Sequence, residues 1–193
     1  AGLDVVSTCE QLAYPAASHP ELAERLDLLA KQHGVTILGT GVNPGFVMDT
    51  LPILLTGACQ EVRSVRVTRV VDASQRRLPL QRKIGAGLTP GEFAEAVKTG
   101  SVQHVGLRES VRMIGEALGW EYDRLEQERE PVVARQEGAS QFIRVRPGQV
   151  AGVHQVERGL KDGEALVTLE LEMYLGAESR DTVSIQAIPP IEM

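Results

Sequence analysis

A chain of 193 residues, of which 42% are hydrophobic and 24% are charged, has the composition of an ordinary soluble globular protein. Its formal net charge of −6 argues against a general nucleic-acid surface, which needs a basic excess. No apolar run approaches the length of a membrane span, and we expect no membrane partner and no signal peptide. Cys9 and Cys59 form neither a metal-type pair nor a disulfide framework, so a reducing, cytoplasmic setting is the expectation.

The first 58 residues have the pattern of a strand, a helix and a second strand. Residues 3–7 and 35–38 are short apolar runs that predict strands. Between them, apolar residues recur at helical spacing from Leu22 to Ala30, and Gly34 marks the end of the helix. Strands joined in this way are parallel, so this part is predicted to be the closing piece of a doubly wound α/β sheet.

A glycine-rich segment, residues 39–46, follows the second strand and precedes a helical pattern. Such a junction leaves backbone N–H groups free, and it is a common place for ligands in α/β proteins. The segment has the spacing G-x-G-x-x-x-G with a proline inside, so it is not the dinucleotide fingerprint G-x-G-x-x-G. The pattern alone leaves a ligand-binding loop and a structural turn equally open.

Residues 60–193 have a different character and predict an α+β domain with a mostly antiparallel or mixed sheet. A half-buried strand is indicated around residues 65–71, followed by a basic loop at 75–83. Thr89 begins a helix with a capping-box pattern, and a second helix runs from Leu107 to Leu118. The remainder is β: strands are predicted at 141–145, 149–156, 167–175 and 182–188, with a hairpin turn at 161–164.

The strand at 167–175 alternates most clearly, and its second face carries Thr168, Glu170, Glu172 and Tyr174. A mixed polar face of this kind suits either water or a wet interface between sheets. We therefore predict a homo-oligomer, either a dimer or a tetramer. The four histidines show no metal-ligand spacing, so no metal site is expected, and His104 is interpreted as a loop or cap histidine.

Several segments together resemble a known family. The strings VVSTCEQL at 5–12, KQHG at 31–34, TGVNPGFVMD at 40–49, RKIGAGLT at 82–89 and GLRES at 106–110 are similar to the dihydrodipicolinate-reductase-like NAD(P)-dependent oxidoreductases. Within that family they look like the 2,4-diaminopentanoate dehydrogenase type. The double histidine of dihydrodipicolinate reductase proper is not found where the corresponding strand ends, at residues 69–74.

The resemblance implies a division of labour between two domains. Residues 1–58 would be the C-terminal part of a Rossmann-like domain for NAD or NADP, and residues 60–193 a domain for substrate binding and oligomerisation. The implied activity is a dehydrogenase or reductase step at a C–N or C=N centre of a small amino-acid-like substrate. Because the phosphate-binding turn lies outside the sequence, we expect this chain alone to be inactive. The alternative is a non-catalytic module for ligand sensing or oligomerisation.

The cofactor contacts that the resemblance implies lie at the ends of the two parallel strands. Ser7 and Thr8 end one strand, and Asn43, Pro44 and Gly45 follow the other. Ligands of open α/β sheets bind at such carboxyl ends, so this edge would face the nicotinamide. Capping of strand ends by small polar residues is the alternative interpretation.

The predicted substrate site lies in the basic loop and the turn after it. Lys83 is the candidate catalytic residue, because a step at a C–N bond needs a proton donor. Arg82 and the backbone N–H groups of Gly85, Gly87 and Thr89 are predicted to bind a substrate carboxylate.

Overall fold

The computed structural model describes residues 2–102 and 104–193, and it begins with a small parallel unit. Strands β1 (Val5–Ser7) and β2 (Ile37–Gly39) pair in parallel, with helix α1 (Pro20–His33) between them. Two short 3-10 turns, at Glu10–Ala13 and Pro15–Ala17, connect β1 to α1. The predicted order of strand, helix and parallel strand is confirmed.

The larger part of the chain is built on a mixed sheet of six strands. The remaining strands are β3 (Glu61–Asp72), β4 (Arg124–Val133), β5 (Gly138–Ala139), β6 (Arg144–Val145), β7 (Val150–Lys161), β8 (Glu164–Tyr174), β9 (Arg180–Ile188) and β10 (Ile191–Glu192). The order across the sheet is β10-β9-β3-β8-β7-β4, while β5 and β6 pair separately. β3 and β8 are parallel and the other neighbours are antiparallel, which makes the sheet mixed.

Four further helices complete the described structure. They are α2 (Thr50–Thr56), α3 (Leu78–Lys83), α4 (Pro90–Lys98) and α5 (Leu107–Ala117). α5 packs on β7 and β8, and its buried residues join those of the sheet and of α4 in one hydrophobic core. The capping box predicted at Thr89 is confirmed, because the Thr89 hydroxyl and the Glu92 side chain each bond the other's backbone N–H. Within the described ranges, no helix combines the length and apolarity that crossing a membrane requires.

Strand β8 has the alternation that its sequence indicates. The side chains of Val167, Leu169 and Leu171 are fully buried on the side of the core. On the opposite face, Glu170 and Glu172 are half-buried. A two-residue hairpin at Asp162 and Gly163 joins β7 to β8, as predicted.

Other predictions need correction. The sequence pattern gave no strand at Arg124–Val133, yet these residues form the edge strand β4. Charged side chains recur along this strand because an edge strand is open to water, which hides the apolar alternation. The basic loop at 75–83 folds at its end into α3, and the strand predicted at 141–145 is reduced to the two residues of β6.

Candidate active site

A cleft of about 360 Å³ lies between the parallel unit and the six-stranded sheet. Residues of the chain after β1 and β2 form one wall, and side chains of β3 and β8 form the other. The polar side chains that line it are those of Thr8, Glu10, Asn43, Arg69, Arg76 and His104, and Pro44 lies beside them. The volume is in the range that a small organic ligand needs.

The loop after β2 is anchored by the buried carboxylate of Asp49. One oxygen, Oδ2, accepts hydrogen bonds from the Gly45 N–H at 2.7 Å and from the Ser110 hydroxyl at 2.8 Å. The other, Oδ1, accepts from the N–H of Thr50 at 2.6 Å. Hydrogen bonds to a charged group are among the stronger ones in proteins, so Asp49 ties the loop to α2 and α5.

Gly106, just before α5, is the point at which three segments of the cleft meet. It has a φ of 99°, and a Cβ at this position would lie 2.1 Å from Cγ of Pro44 and 3.3 Å from Cβ of Glu10. Glycine is therefore required both for backbone conformation and for close approach. This approach brings Glu10 and the Asn43–Pro44 loop to the start of α5.

The residues predicted to face the cofactor divide into two groups. Thr8, Asn43 and Pro44 line the cleft, and Asn43 Oδ1 is buried without a hydrogen-bond partner among the residues that the structure describes. A buried acceptor without a partner costs free energy, so it marks a place where a ligand donor fits. Ser7 instead accepts from the Cys9 N–H at 3.2 Å, and Gly45 is held by Asp49.

His104 lies in the cleft, which the sequence interpretation missed. Its pKa is lowered to about 4, first by burial and then by the charge of Lys83, while Glu10 opposes the shift and Arg69 adds to it. The imidazole is therefore neutral at physiological pH, and its buried Nδ1 has no partner in the described parts of the chain. The one available signal was its place in a loop, residues 100–106, bounded by glycines and followed by a helix.

Glu10 and Arg69 were also missed. Glu10 stands on the short turn after β1, and Arg69 on β3, where its guanidinium pairs with Asp181 at 3.2 Å. Arg76 lies at the same cleft. More than fifty positions separate Glu10 from the two arginines in sequence, and only the packing of the parallel unit against the sheet brings them together.

The predicted carboxylate site around Arg82 takes a different form. Neither Arg82, which is exposed on α3, nor the half-buried Lys83 is among the residues that line the cleft, although the charge of Lys83 acts on His104. The backbone N–H groups of residues 85–89 donate within the chain; those of Gly85, Gly87 and Thr89 bond to the Arg82 carbonyl, the Val150 carbonyl and the Glu92 carboxylate. The donors expected for a substrate carboxylate are thus already occupied.

One group of side chains on the outer face of the sheet has ligand types that metals use. The side chains of His154, Glu170 and Glu172 place their ligand atoms within 4.8 Å of one another. Glu170 is already bonded to His154 at 2.8 Å and to the hydroxyl of Thr68 at 3.3 Å. Arg66 adds a cation 3.8 Å from the same carboxylate, which disfavours a metal ion there.

A larger groove of about 880 Å³ lies beside α5, away from the cleft. Arginine and acidic side chains share its lining, so it presents no single charge to a ligand; they are Arg108, Arg112, Glu116, Glu121, Asp123 and Arg124. None of the residues that the sequence predicted as functional lies in it. The smaller cleft therefore remains the candidate site.

Comparison with known proteins gives three concordant matches. Residues 46–193 match the family described as 2,4-diaminopentanoate dehydrogenase, C-terminal domain. The chain is 38% identical over 198 residues to 2,4-diaminopentanoate dehydrogenase of Acetoanaerobium sticklandii, covering 99% of this chain and 56% of that protein. An amine dehydrogenase structure from Mycobacterium smegmatis superimposes with a TM-score of 0.85 at 23% identity, over 100% of this chain and 58% of the other, and shows the same fold. The chain thus spans little more than half the length of these relatives.

Proposed function

We propose, because the chain belongs to the 2,4-diaminopentanoate dehydrogenase C-terminal domain family, that the full-length protein is an NAD(P)-dependent dehydrogenase. It acts at a carbon–nitrogen bond of a small amino acid that carries a second amino group. The names of the relatives, a diaminopentanoate dehydrogenase and an amine dehydrogenase, support this substrate class. The substrate binds in the cleft between the parallel unit and the sheet.

The observation that carries this proposal is the separation of charge within the cleft. Glu10 supplies a carboxylate on one wall, and Arg69 and Arg76 supply guanidinium groups on the other. An amino acid has the complementary pattern, an ammonium group and a carboxylate separated by a short carbon chain. The ammonium group pairs with Glu10 and the carboxylate with an arginine, an arrangement in which charge-assisted hydrogen bonds fix the orientation of the substrate. Arg69 takes the role that the sequence assigned to Arg82.

The cofactor side of the proposal rests on Asn43 and Thr8. The carboxamide of a nicotinamide ring has an N–H donor that matches the unpaired Asn43 Oδ1 at the edge of the cleft. Thr8 offers a second polar group on the same wall. When bound there, the nicotinamide supplies hydride transfer, and the protein supplies binding and orientation.

Residues of the cleft, together with Lys83 near His104, also account for the movement of protons. The substrate ammonium must lose a proton before a carbon–nitrogen double bond can form, and Glu10 is the base in position to accept it. The neutral His104 imidazole accepts a hydrogen bond from the remaining amine N–H. Water adds to the imine that would remain once the carbon has given up its hydride to a bound nicotinamide. The leaving nitrogen takes a proton from Lys83, and the hydroxyl proton passes back to Lys83 as the carbonyl forms. The products are a carbonyl compound, ammonia and the reduced cofactor.

The proposal includes a cofactor domain to which residues 1–58 contribute and a substrate domain at 60–193. Strands β1 and β2 form a sheet of only two parallel strands, and Leu3, Val6 and Leu38 are 71%, 68% and 51% exposed. Parallel sheets in other proteins are covered on both faces and have more strands. Further strands and helices of a Rossmann-like domain would bury these side chains.

The test is an assay of the full-length protein with 2,4-diaminopentanoate and related amino acids, following the absorbance of reduced nicotinamide with NAD⁺ and NADP⁺. Glu10→Gln should lower kcat/KM by about a hundredfold, the usual scale for loss of a general base. Glu24→Gln, an exposed position on α1, is the matched control and should leave activity unchanged. Binding of amino acids without any turnover would favour the non-catalytic alternative, and full activity in Glu10→Gln would remove Glu10 from the mechanism.

A further inference from the structure

The main chain of His104 is held by one fully buried side chain. Gln155 of β7 is 0% exposed, and its amide oxygen Oε1 accepts a hydrogen bond from the His104 N–H at 3.1 Å. Its Nε2 donates to the His104 carbonyl at 3.0 Å. Both backbone groups of a single loop residue are therefore bonded to one amide. We propose that Gln155 is a positioning residue that fixes the His104 imidazole in the cleft, an inference that rests on the proposed function.

The orientation of the Gln155 amide is itself determined by a neighbouring strand. Nε of Arg129, on β4, donates to Gln155 Oε1 at 3.3 Å. Because a guanidinium group only donates, the oxygen of the amide must face it, and the NH₂ group then faces the His104 carbonyl. Arg129 and the His104 N–H share one acceptor. The chain of contacts runs from the edge strand through the core to the cleft.

The polar layer under this loop stands where apolar side chains would pack more readily. Gln155 and Glu157 lie on the same face of β7 as the apolar Val153, and all three are 0% exposed. Glu157 accepts a hydrogen bond from Gln127 of β4 at 2.7 Å, and burial raises its pKa. Buried polar groups cost free energy unless they are fully bonded, and they contribute directional contacts that an apolar side chain cannot make. Here the hydrogen bonds of Gln155 hold the loop that carries His104 in one orientation.

If Gln155 positions the His104 imidazole, replacing Gln155 should change the surroundings of the ring. If Gln155 contributes only to stability, the surroundings of the ring should stay the same. Three charged groups from separate elements face His104 and set its environment: Lys83 from α3, Glu10 from the turn after β1 and Arg69 from β3. Without the amide, the loop gains freedom and the ring gains contact with water. The pKa of His104 should then rise from about 4 towards its ordinary value of 6.5.

The experiment compares Gln155→Met with Gln127→Met in the full-length protein. Gln155→Met removes both bonds to His104 at nearly constant volume, whereas Gln127→Met removes a bond of the same polar layer that does not touch His104. The imidazole resonance, assigned with His104→Gln, is titrated by NMR. We expect the pKa of His104 to rise by about one unit or more in Gln155→Met and to stay in place in Gln127→Met. This readout needs no activity, so it is informative even where the proposed dehydrogenase reaction fails.

Activity provides the second readout. Gln155→Met should lower kcat by about tenfold or more, and Gln155→Glu, which keeps the acceptor for the His104 N–H, should recover part of that loss. If Gln155→Met does not fold, Gln155→Asn decides by NMR, because it keeps a neutral amide but draws it one methylene away from His104, and a smaller rise in the His104 pKa is expected. An unmoved His104 titration in the folded variants, or an equal shift in Gln127→Met, would overturn the proposal, because Gln155 would then contribute only to stability.

Discussion

At the scale of single residues, Lys83 is the first side chain to test. Lys83→Ala in the full-length protein should lower kcat by about a hundredfold, because the leaving nitrogen loses its proton donor. Arg82→Ala is a control on the same helix with the same charge, and its side chain is exposed. Steady-state kinetics with the best substrate checks both. Near-normal kcat in Lys83→Ala would leave Lys83 with a purely electrostatic role near His104.

His104 also makes a prediction about pH and stability. Its folded pKa of about 4 lies below the ordinary value of 6.5, so below about pH 6.5 the unfolded chain binds a proton that the folded chain does not. Stability is therefore lost as the pH falls from about 6.5 towards 4. Between about pH 7 and pH 5 the loss from this group is about 2 kcal/mol.

The measurement is urea denaturation of the wild type and of His104→Gln at both pH values. Carboxylates that titrate in this window do so in both proteins, so their contributions cancel in the comparison. The wild type should lose about 2 kcal/mol more than the variant. An equal loss in the two proteins would show that His104 is protonated in the folded state as easily as in the unfolded one.

The residues of the site were only partly predictable from sequence. Thr8, Asn43 and Pro44 could be placed at the cleft, because strand ends and glycine-rich turns leave a local signal. Glu10, Arg69 and His104 lie on three elements that are distant in sequence, and their proximity depends on tertiary packing. The backbone N–H groups of Gly85, Gly87 and Thr89, predicted to bind a substrate carboxylate, bond within the chain, and for Gly87 the partner is distant in sequence. Val150, one of their partners, lies on β7, some sixty residues further along the chain.

At the scale of secondary-structure elements, the packing of Tyr122 makes a prediction about two glycines. The Tyr122 hydroxyl donates to the Val111 carbonyl of α5 at 3.0 Å. A Cβ at Gly159 of β7 would lie 2.5 Å from the Tyr122 ring, and one at Gly115 of α5 would lie 2.6 Å from its hydroxyl oxygen. The Tyr122 side chain thus fills the space between α5 and β7, and each of these elements has a glycine where it contacts the ring.

Gly159→Ala should therefore destabilise the protein by about 1–3 kcal/mol, since the ring must move out of its place. The control is Gly91→Ala at the start of α4, where an added Cβ meets no atom within 4 Å. That change should be neutral or stabilise by up to about 1 kcal/mol, because alanine loses less backbone entropy on folding. Thermal unfolding of both variants is the measurement, and equal midpoints would contradict the tight packing of Tyr122.

Secondary-structure elements could be predicted where they depend on residues that are close together in the sequence. The alternation of β8, the hairpin at Asp162 and the capping box at Thr89 each depend on neighbouring residues, and each is confirmed. β4 was missed because one of its faces is open to water at the sheet edge and the other contacts buried polar side chains, so its sequence shows no apolar alternation. The parallel pairing of β3 with β8 could not be predicted from neighbouring residues, because nearly a hundred residues separate the two strands.

At the scale of the whole molecule, the outer face of the six-stranded sheet leads to a prediction about assembly. Its central rows place Val70, Glu172 and His154 side by side, as the register of β3, β8 and β7 shows. Thr168 on this face is only 3% exposed, and Val70 only 4%. A face of partly buried apolar and polar groups resembles the wet interfaces through which subunits associate. We therefore expect the full-length protein to be a homo-oligomer in which this face is shared.

Reversing a charge in the middle of that face should weaken the assembly. Glu172→Lys places an ammonium beside His154 and changes the charge pattern at the centre, so the dissociation constant between subunits should rise by at least about tenfold. Glu164→Lys is the control, because Glu164 occupies the exposed hairpin end of the same strand. Light scattering over a dilution series measures both. A monomeric mass for the wild type at high concentration would contradict the prediction, and equal dissociation of the two variants would place the interface on a different surface.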